Sequence, residues 1–164
     1  MALGNIKIQD TPFGAMSTYR WQTEAAATAI LAGEPVKLKA LGSPYVIPVA
    51  DTEPIIGTTT PIIGIAASSS TQTASADGYV DVYIPRPGMI YRAKAKTAST
   101  FDTLTEVNAL CGDHVVFDLT TGVYTVDAAA GDGNTKGIMI VGGNPDTQEV
   151  YFTIRPAAVE GVIA

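Results

Sequence analysis

The sequence holds few of the residues from which catalytic and metal sites are usually built. Its 164 residues include one histidine, His114, and one cysteine, Cys111. A single cysteine excludes an intrachain disulfide, and the Cys-x-x-His spacing lacks the further Cys or His ligands that a structural zinc ion requires. We therefore expect Cys111 to be a small core or loop residue and His114 to be structural.

Motifs for nucleophilic, nucleotide or calcium chemistry are absent as well. The chain has no Gly-x-Ser-x-Gly elbow, no Walker A lysine motif and no Gly-x-Gly-x-x-Gly stretch. Asp127, Asp132 and Asn134 lie in or beside a glycine-containing loop without EF-hand spacing, which predicts a solvated loop. We expect no enzyme, no cofactor and no metal, with a hydrolase acting through His114 as an open alternative.

Charge is scarce and long apolar runs are missing. Charged residues make up 16% of the chain, and the net charge is −6. In an average protein about one quarter of the residues are charged, so we expect a weakly charged surface that is suited to packing against other proteins. The negative charge argues against nucleic acid as a partner, and no apolar run of about 18 residues predicts a membrane span. No signal peptide is expected, because no basic region precedes an apolar core at the N-terminus.

Short strand patterns, punctuated by Gly and Pro, dominate the chain. Residues 79–84 and 89–96 both alternate, and the Pro-Arg-Pro-Gly turn at 85–88 predicts that they pair as a hairpin. About nine such strands, with one or two helical turns around 104–110, predict an all-β fold, a compact β-barrel or β-sandwich with little helix. Residues 24–32 are open between helix and strand, with an extended segment favoured. The Ser/Thr-rich stretch 68–78 is read as a flexible linker or an exposed tip.

Two hairpin-like stretches, 33–47 and 112–126, resemble each other at an offset of 79 positions. The glycines of the two turns, Gly42 and Gly122, are 80 positions apart and so fall one position out of this alignment. Each stretch is followed by a Gly-Ile pair, at 64–65 and 137–138. The pattern suggests an internal duplication that covers residues 33–66 and 112–141. The matched pairs are Gly33 with Gly112, Glu34 with Asp113, Val36 with Val115, Leu38 with Phe117, Tyr45 with Tyr124 and Ile47 with Val126.

The length predicts one β domain, 19–156, flanked by an extended N-terminal arm, 1–18, and an apolar C-terminal tail, 157–164. Arm and tail are candidates for reaching a neighbouring molecule. The predicted protein-interface residues are the apolar anchors Ile6, Ile8, Phe13 and Tyr19 and the basic strand face Arg92, Lys94 and Lys96. The alternative for the basic face is a solvated surface that protects a sheet edge. Tyr79, Tyr83 and Tyr91 are either an aromatic surface or cross-strand pairs.

Several stretches resemble small bacteriophage capsid decoration (cement) proteins. The residues that carry the resemblance are 32–36, then 63–66 followed after the Ser/Thr-rich loop by 77–83, and later 112–118 and 137–143. The resemblance extends over roughly residues 28–155. The N-terminal arm and the strand that contains Tyr19 depart from the family pattern.

The resemblance implies a structural virion protein on the outer capsid surface, synthesised in the cytoplasm of a bacterial host. Such proteins are β-rich, often homotrimeric, and clamp neighbouring subunits of the major capsid protein. They offer no catalytic residues to carry over. Two alternatives stay open: a host-attachment or carbohydrate-binding virion module that uses exposed tyrosines, and a structural subunit of the tail tube or head–tail connector.

Overall fold

The computed structural model describes residues 6–11, 16–56 and 60–159, which form mostly short strands. Eleven strands lie in this part of the chain, more than the roughly nine predicted, partly because β1 forms inside the predicted arm. The strands are β1 (Lys7–Asp10), β2 (Thr18–Thr23), β3 (Pro35–Leu38), β4 (Val46–Pro48), β5 (Ile62–Ala66), β6 (Gly78–Tyr83), β7 (Ile90–Lys94), β8 (His114–Thr120), β9 (Val123–Asp127), β10 (Ile138–Asn144) and β11 (Glu149–Ile154). The helices are α1 (Leu104–Leu110) and α2 (Pro156–Val159), with 3₁₀ turns at Ala98–Thr100 and Ala128–Ala130.

The strands form two antiparallel sheets in a sandwich-like arrangement, so the predicted all-β fold is confirmed and the closed barrel is not observed. One sheet has six strands in the order β1-β7-β11-β10-β8-β9, and the other has five in the order β2-β6-β5-β3-β4. The larger hydrophobic core lines the six-stranded sheet and also takes in Ile62 and Ile65 of β5. These two residues connect the five-stranded sheet to the larger core, while a second, smaller core of six buried residues lies within the N-terminal half of the chain.

The predicted hairpin between residues 79–84 and 89–96 is wrong. β6 belongs to the five-stranded sheet and β7 to the six-stranded sheet, so the Pro-Arg-Pro-Gly segment crosses between sheets. Pro85 and Pro87 lack the N–H groups that a continuing ladder would need, which favours a crossing over a tight hairpin. Sequence alternation identified both strands correctly but not their partners.

Both sheets repeat one strand order. The N-terminal unit (β2–β6, residues 18–83) has the order β2-β6-β5-β3-β4, and the C-terminal unit (β7–β11, residues 90–154) has β7-β11-β10-β8-β9. Each strand of the first unit therefore corresponds to the strand five places later. An isolated parallel bridge also recurs: Gln22 with Tyr45 in the first unit and Ala95 with Val126 in the second.

Individual hydrogen bonds recur at equivalent positions. The backbone N–H of Gly33 donates to the Ala66 carbonyl at 2.8 Å, and that of Gly112 donates to the Ile140 carbonyl at 2.8 Å. This correspondence aligns β5 with β10 at an offset of 74, so the Gly-Ile pairs matched from the sequence are out of step. The structure establishes equivalent positions in the two units, while the duplication itself stays a prediction.

Beyond the hairpin turn the offset is 80, not 79. Leu38 lies opposite Val46, whereas Phe117, its equivalent, lies opposite Val126. The second turn is one residue longer, which also explains why the turn glycines miss by one. The sequence matches at positions 45 and 47 are therefore wrong by one residue, although those at 33, 34, 36 and 38 keep their register.

In each unit, the connection between the first and second strands contributes a buried apolar side chain, but the two connections differ in structure. In the N-terminal unit, residues 24–32 form neither helix nor strand, and Ile30 enters the smaller core. In the C-terminal unit the longer connection includes α1, where Val107 is buried. Thr103 caps this helix, exchanging hydrogen bonds with Glu106 in a capping box. The helical spacing predicted around 104–110 is confirmed.

The Ser/Thr-rich stretch 68–78 is tied to residues 24–32 and is not a free linker. Ser70 donates its backbone N–H to the Ile30 carbonyl at 2.8 Å and accepts the Ile30 N–H on its hydroxyl at 2.8 Å. The Gln72 side-chain amide donates to the Thr28 carbonyl at 3.1 Å. The low-complexity composition did not predict these hydrogen bonds. Short hydroxyl side chains are typical of flexible linkers, but they also form hydrogen bonds with nearby backbone groups.

Candidate functional site

His114 lies beside Asp132, and Cys111 lies at the C-terminal end of α1. The His114 backbone N–H donates to Asp132 Oδ1 at 2.8 Å, and His114 Nδ1 lies 3.0 Å from the same oxygen. The backbone hydrogen bond is the main reason that the pKa of Asp132 lies below its ordinary value. Cys111 is exposed and ends α1. Within residues 6–11, 16–56 and 60–159, no group of three His, Cys, Asp or Glu side chains is placed to hold a metal ion.

The predicted basic face has an intramolecular acceptor for every member. These contacts satisfy the positive charges inside the chain, which agrees with the alternative of a solvated, structural strand face. The contacts are Arg92 with Glu149 at 3.2 Å, Lys94 with the Thr147 carbonyl, and Lys96 with Asp118 at 2.7 Å and Asp127 at 3.1 Å.

The pair of Lys96 and Asp118 has a charge-reversed counterpart in the N-terminal unit. Glu24 and Lys39, at the equivalent positions, also form an ion pair. The Asp118 side chain is 4% exposed, whereas both members of the N-terminal pair are about two-fifths exposed. The same connection is therefore bridged by opposite charges in both units, and only the C-terminal pair has a buried member.

The environment of Asp118 favours its charged form. Burial by itself raises the pKa of this carboxyl, but hydrogen bonds from Lys96 and Thr120 outweigh burial and hold the pKa below its ordinary value. The hydrogen bond with Asp118 is in turn the main reason that the pKa of Lys96 is raised. The ion pair thus persists over the whole neutral range.

We expect Asp118→Asn to lower the free energy of unfolding by about 1–3 kcal/mol at pH 7, since it removes a charge-assisted acceptor. A lowered folded-state pKa contributes stability above the unfolded-state pKa, and this is lost as pH falls through the folded-state value. In urea titrations the gap between wild type and variant should therefore narrow below about pH 4. Glu24→Gln, in the exposed counterpart, should change little. A gap that stays constant down to pH 2 would contradict this account.

The predicted apolar anchors of the arm separate into different environments. Ile6 is 3% exposed and belongs to the chain's own core, and Ile8 is partly buried beside that core. Phe13 lies outside the described residues. Tyr19, on β2, is 64% exposed. At the other end, Ala158 of α2 is buried, and residues 160–164 lie outside the described part of the chain.

An exposed aromatic and charged surface surrounds the beginning of β2. Tyr79 is 44% exposed, and the Arg20 guanidinium stands 4.2 Å from the centre of its ring. Arg20 also pairs with Asp81 at 3.0 Å. Side chains alternate along a strand, so Tyr19, which pairs with Val82, lies on the opposite face of β2 from Arg20, Tyr79 and Asp81. We call the exposed groups on the two faces of this strand, Tyr19 on one and Arg20, Tyr79 and Asp81 on the other, the β2 surface. Of the other tyrosines proposed for an aromatic surface, Tyr83 is partly buried and Tyr91 is fully buried in the other sheet, stacked on Phe152.

The β2 surface borders a strand edge that is only partly covered. β2 pairs with β6 along its whole length on one side. On its other side, within the described residues, only the bridge from Gln22 to Tyr45 is formed. In the C-terminal unit the equivalent strand, β7, is covered at 90–92 by β1. Sequence patterns identified the strands but gave no signal for this difference, because it arises from which edges the arm covers.

The fold and the site define an all-β protein of two sheets, in which the outer side of β2 has a single bridge within the described residues. No protein-family model matches the chain, and no curated protein matches it. The resemblance to phage decoration proteins therefore stays a prediction. In the described ranges no helix has the length and apolar character to cross a membrane.

Proposed function

We propose that the chain is a structural virion protein that binds the outer surface of a phage head and clamps neighbouring subunits of the major capsid protein. The observation that carries the proposal is the β2 surface, where exposed tyrosines lie beside a strand edge that has only one bridge within the described residues. Edges of this kind accept other protein chains. The loops beside it are hydrogen-bonded to one another, which suits a rigid clamp.

Weak contacts are sufficient for this role because a head presents the same site many times. A protein that contacts neighbouring shell subunits converts the second contact into an intramolecular event, so avidity exceeds the affinity of either contact. The low charge of the chain supports the proposal, since few charged groups would lose water at such contacts. Both arguments concern protein surfaces and need no catalytic residue.

Co-sedimentation with purified heads tests the proposal. Expanded heads of the virus that carries the gene, prepared without the protein, should take the wild-type chain into the pellet in a saturable manner. Unexpanded proheads and an unrelated capsid serve as controls for non-specific binding. Recovery of all the protein in the supernatant with expanded heads would contradict the proposal.

Assembly as a homotrimer belongs to the same proposal, because junctions between capsid hexamers offer threefold positions. A closed cyclic trimer would have three times the 17.0 kDa mass of one chain. Light scattering of the purified protein measures that mass directly. Rings of six or twelve chains would instead favour the tail-tube or connector subunit.

A carbohydrate-binding virion module is the second candidate, favoured by one feature of the β2 surface. Tyr79 is exposed, and the polar groups of Arg20 and Asp81 stand on the same face of the sheet beside it. Aromatic faces flanked by hydrogen-bonding groups suit sugar rings. Glycan-array binding by the isolated protein, without affinity for empty heads, would favour this candidate over the capsid clamp.

A further inference from the structure

The two units present equivalent strand edges, of which only one is covered in the described structure. From the strand registers, Tyr19 of β2 corresponds to Tyr91 of β7, and Arg20 corresponds to Arg92. β1 lies against β7 with Ile8 opposite Tyr91, and Tyr91 is fully buried. Tyr19 has no such neighbour among the described strands and is 64% exposed. The same Tyr-Arg pair thus stands at a covered edge and at an open one.

The backbone direction shows which groups of β2 the open edge presents. The Ser17 carbonyl accepts from the Ile84 N–H at 3.4 Å, so residue 17 points towards the β6 side. Directions alternate along a strand, which turns the N–H and C=O groups of Thr18 and Arg20 to the open side. Gln22, two residues further, points the same way and bridges Tyr45. Positions 18 and 20 correspond to 90 and 92, which pair with β1.

We propose that the open edge at residues 18–20 receives an extended strand from the capsid shell, paired antiparallel as β1 pairs with β7. The proposal rests on the proposed function and names the contact by which the chain would hold the shell. The incoming strand places an apolar side chain opposite Tyr19, as Ile8 stands opposite Tyr91. Polar residues flank that apolar side chain, because Lys7 and Gln9 flank Ile8 in β1.

A second copy of the chain does not meet the requirements of this edge. Each chain has two equivalent edges and a single β1, so exchange of β1 between copies always leaves half of the edges open. Direct pairing of two β2 edges would join only about three residues on each side, far below the roughly 1,000 Å² that a stable interface buries. An occupant of this short edge must be anchored elsewhere, as β1 is anchored by its own chain.

A shell segment satisfies this anchoring condition. It is fixed in the capsid, and every further contact between the chain and the head raises the effective concentration of the strand at its edge. Main-chain hydrogen bonds then supply attraction, and packing of an apolar side chain against the exposed Tyr19 ring supplies selectivity.

The edge is tested by a proline that blocks it. Thr18→Pro removes an outward N–H at the first residue of an edge strand, a position that tolerates proline. Thr18→Ala, the matched control, keeps the N–H. With expanded heads that lack the protein, we expect Thr18→Pro to bind about tenfold or more weakly than wild type, and Thr18→Ala to bind as wild type does. Circular dichroism and the unfolding temperature check that both variants fold.

The outcomes separate this inference from the proposed function. If wild type and Thr18→Pro bind heads equally, strand addition is wrong while capsid binding stands. If wild type fails to bind heads, the proposed function is wrong, and the strand-addition inference, which rests on it, is wrong as well. If Thr18→Pro changes the oligomeric mass without heads, a second copy occupies the edge and the shell does not. Should Thr18→Pro fail to fold, Tyr19→Asp at the exposed ring replaces it, and unchanged binding overturns the inference.

Discussion

Replacing Gly64 with alanine is expected to destabilise the protein by about 3–5 kcal/mol, or roughly 10–15 °C in the unfolding temperature. Gly64 has a φ of +153°, and an added Cβ would stand 2.0 Å from the Tyr83 carbonyl oxygen. That oxygen belongs to β6, which is paired with β5 and cannot withdraw without breaking the sheet. Thermal unfolding followed by circular dichroism measures the loss.

Gly142→Ala is the matched control for this prediction. Its φ of +158° is nearly the same, but nothing lies within 4 Å of an added Cβ. It should therefore cost only the backbone strain, about 1–3 kcal/mol. Equal losses for the two variants would show that the close approach of β5 to β6 is not what requires glycine at position 64.

Replacing Phe117 with alanine is expected to cost about 3–5 kcal/mol, because the ring is fully buried. Its centre lies 5.6 Å from that of Phe152 and 6.4 Å from that of Tyr124, both in edge-to-face arrangements. The substitution leaves a cavity between three strands of the six-stranded sheet. Urea unfolding followed by tyrosine fluorescence gives the free-energy difference.

Leu38→Ala tests the equivalent position in the N-terminal unit. Leu38 is only partly buried and packs at the margin of the smaller core. We expect a cost of about 1–2 kcal/mol, well below that of Phe117→Ala. A cost as large as that at Phe117 would contradict the expectation that the difference in burial between these equivalent positions sets the difference in stability.

Local patterns in the sequence predicted the elements well where one face of a strand is buried. The alternation of 79–84 and the helical spacing around 104–110 both correspond to observed elements. Alternation reports burial of one face, which is a property of each strand by itself. The all-β class followed from these local signals.

Pairing and register could not be predicted from the same signals. The Pro-Arg-Pro-Gly segment favours a turn, but whether it joins neighbours or crosses between sheets depends on distant strands. The two hairpins were recognised at the right offset before the turn and missed by one after it, because the loops differ in length. The composition of residues 68–78 predicts a flexible linker or an exposed tip, whereas in the structure hydrogen bonds to residues 24–32 hold this stretch in place.

The candidate site was the least predictable part. Tyr19 was one of seven predicted interface residues, yet nothing in the sequence distinguishes it from Ile6, which is buried in the chain's own core. Exposure at this position depends on β1, which covers β7 and not β2. Only the tertiary arrangement separates the open edge from the covered one.

The most direct test of the capsid-clamp account is a titration of expanded heads that lack the protein, with bound copies counted per shell subunit. The account predicts saturation at one fixed ratio set by the repeating shell sites. Binding that rises without saturation, or no binding at all, would contradict it.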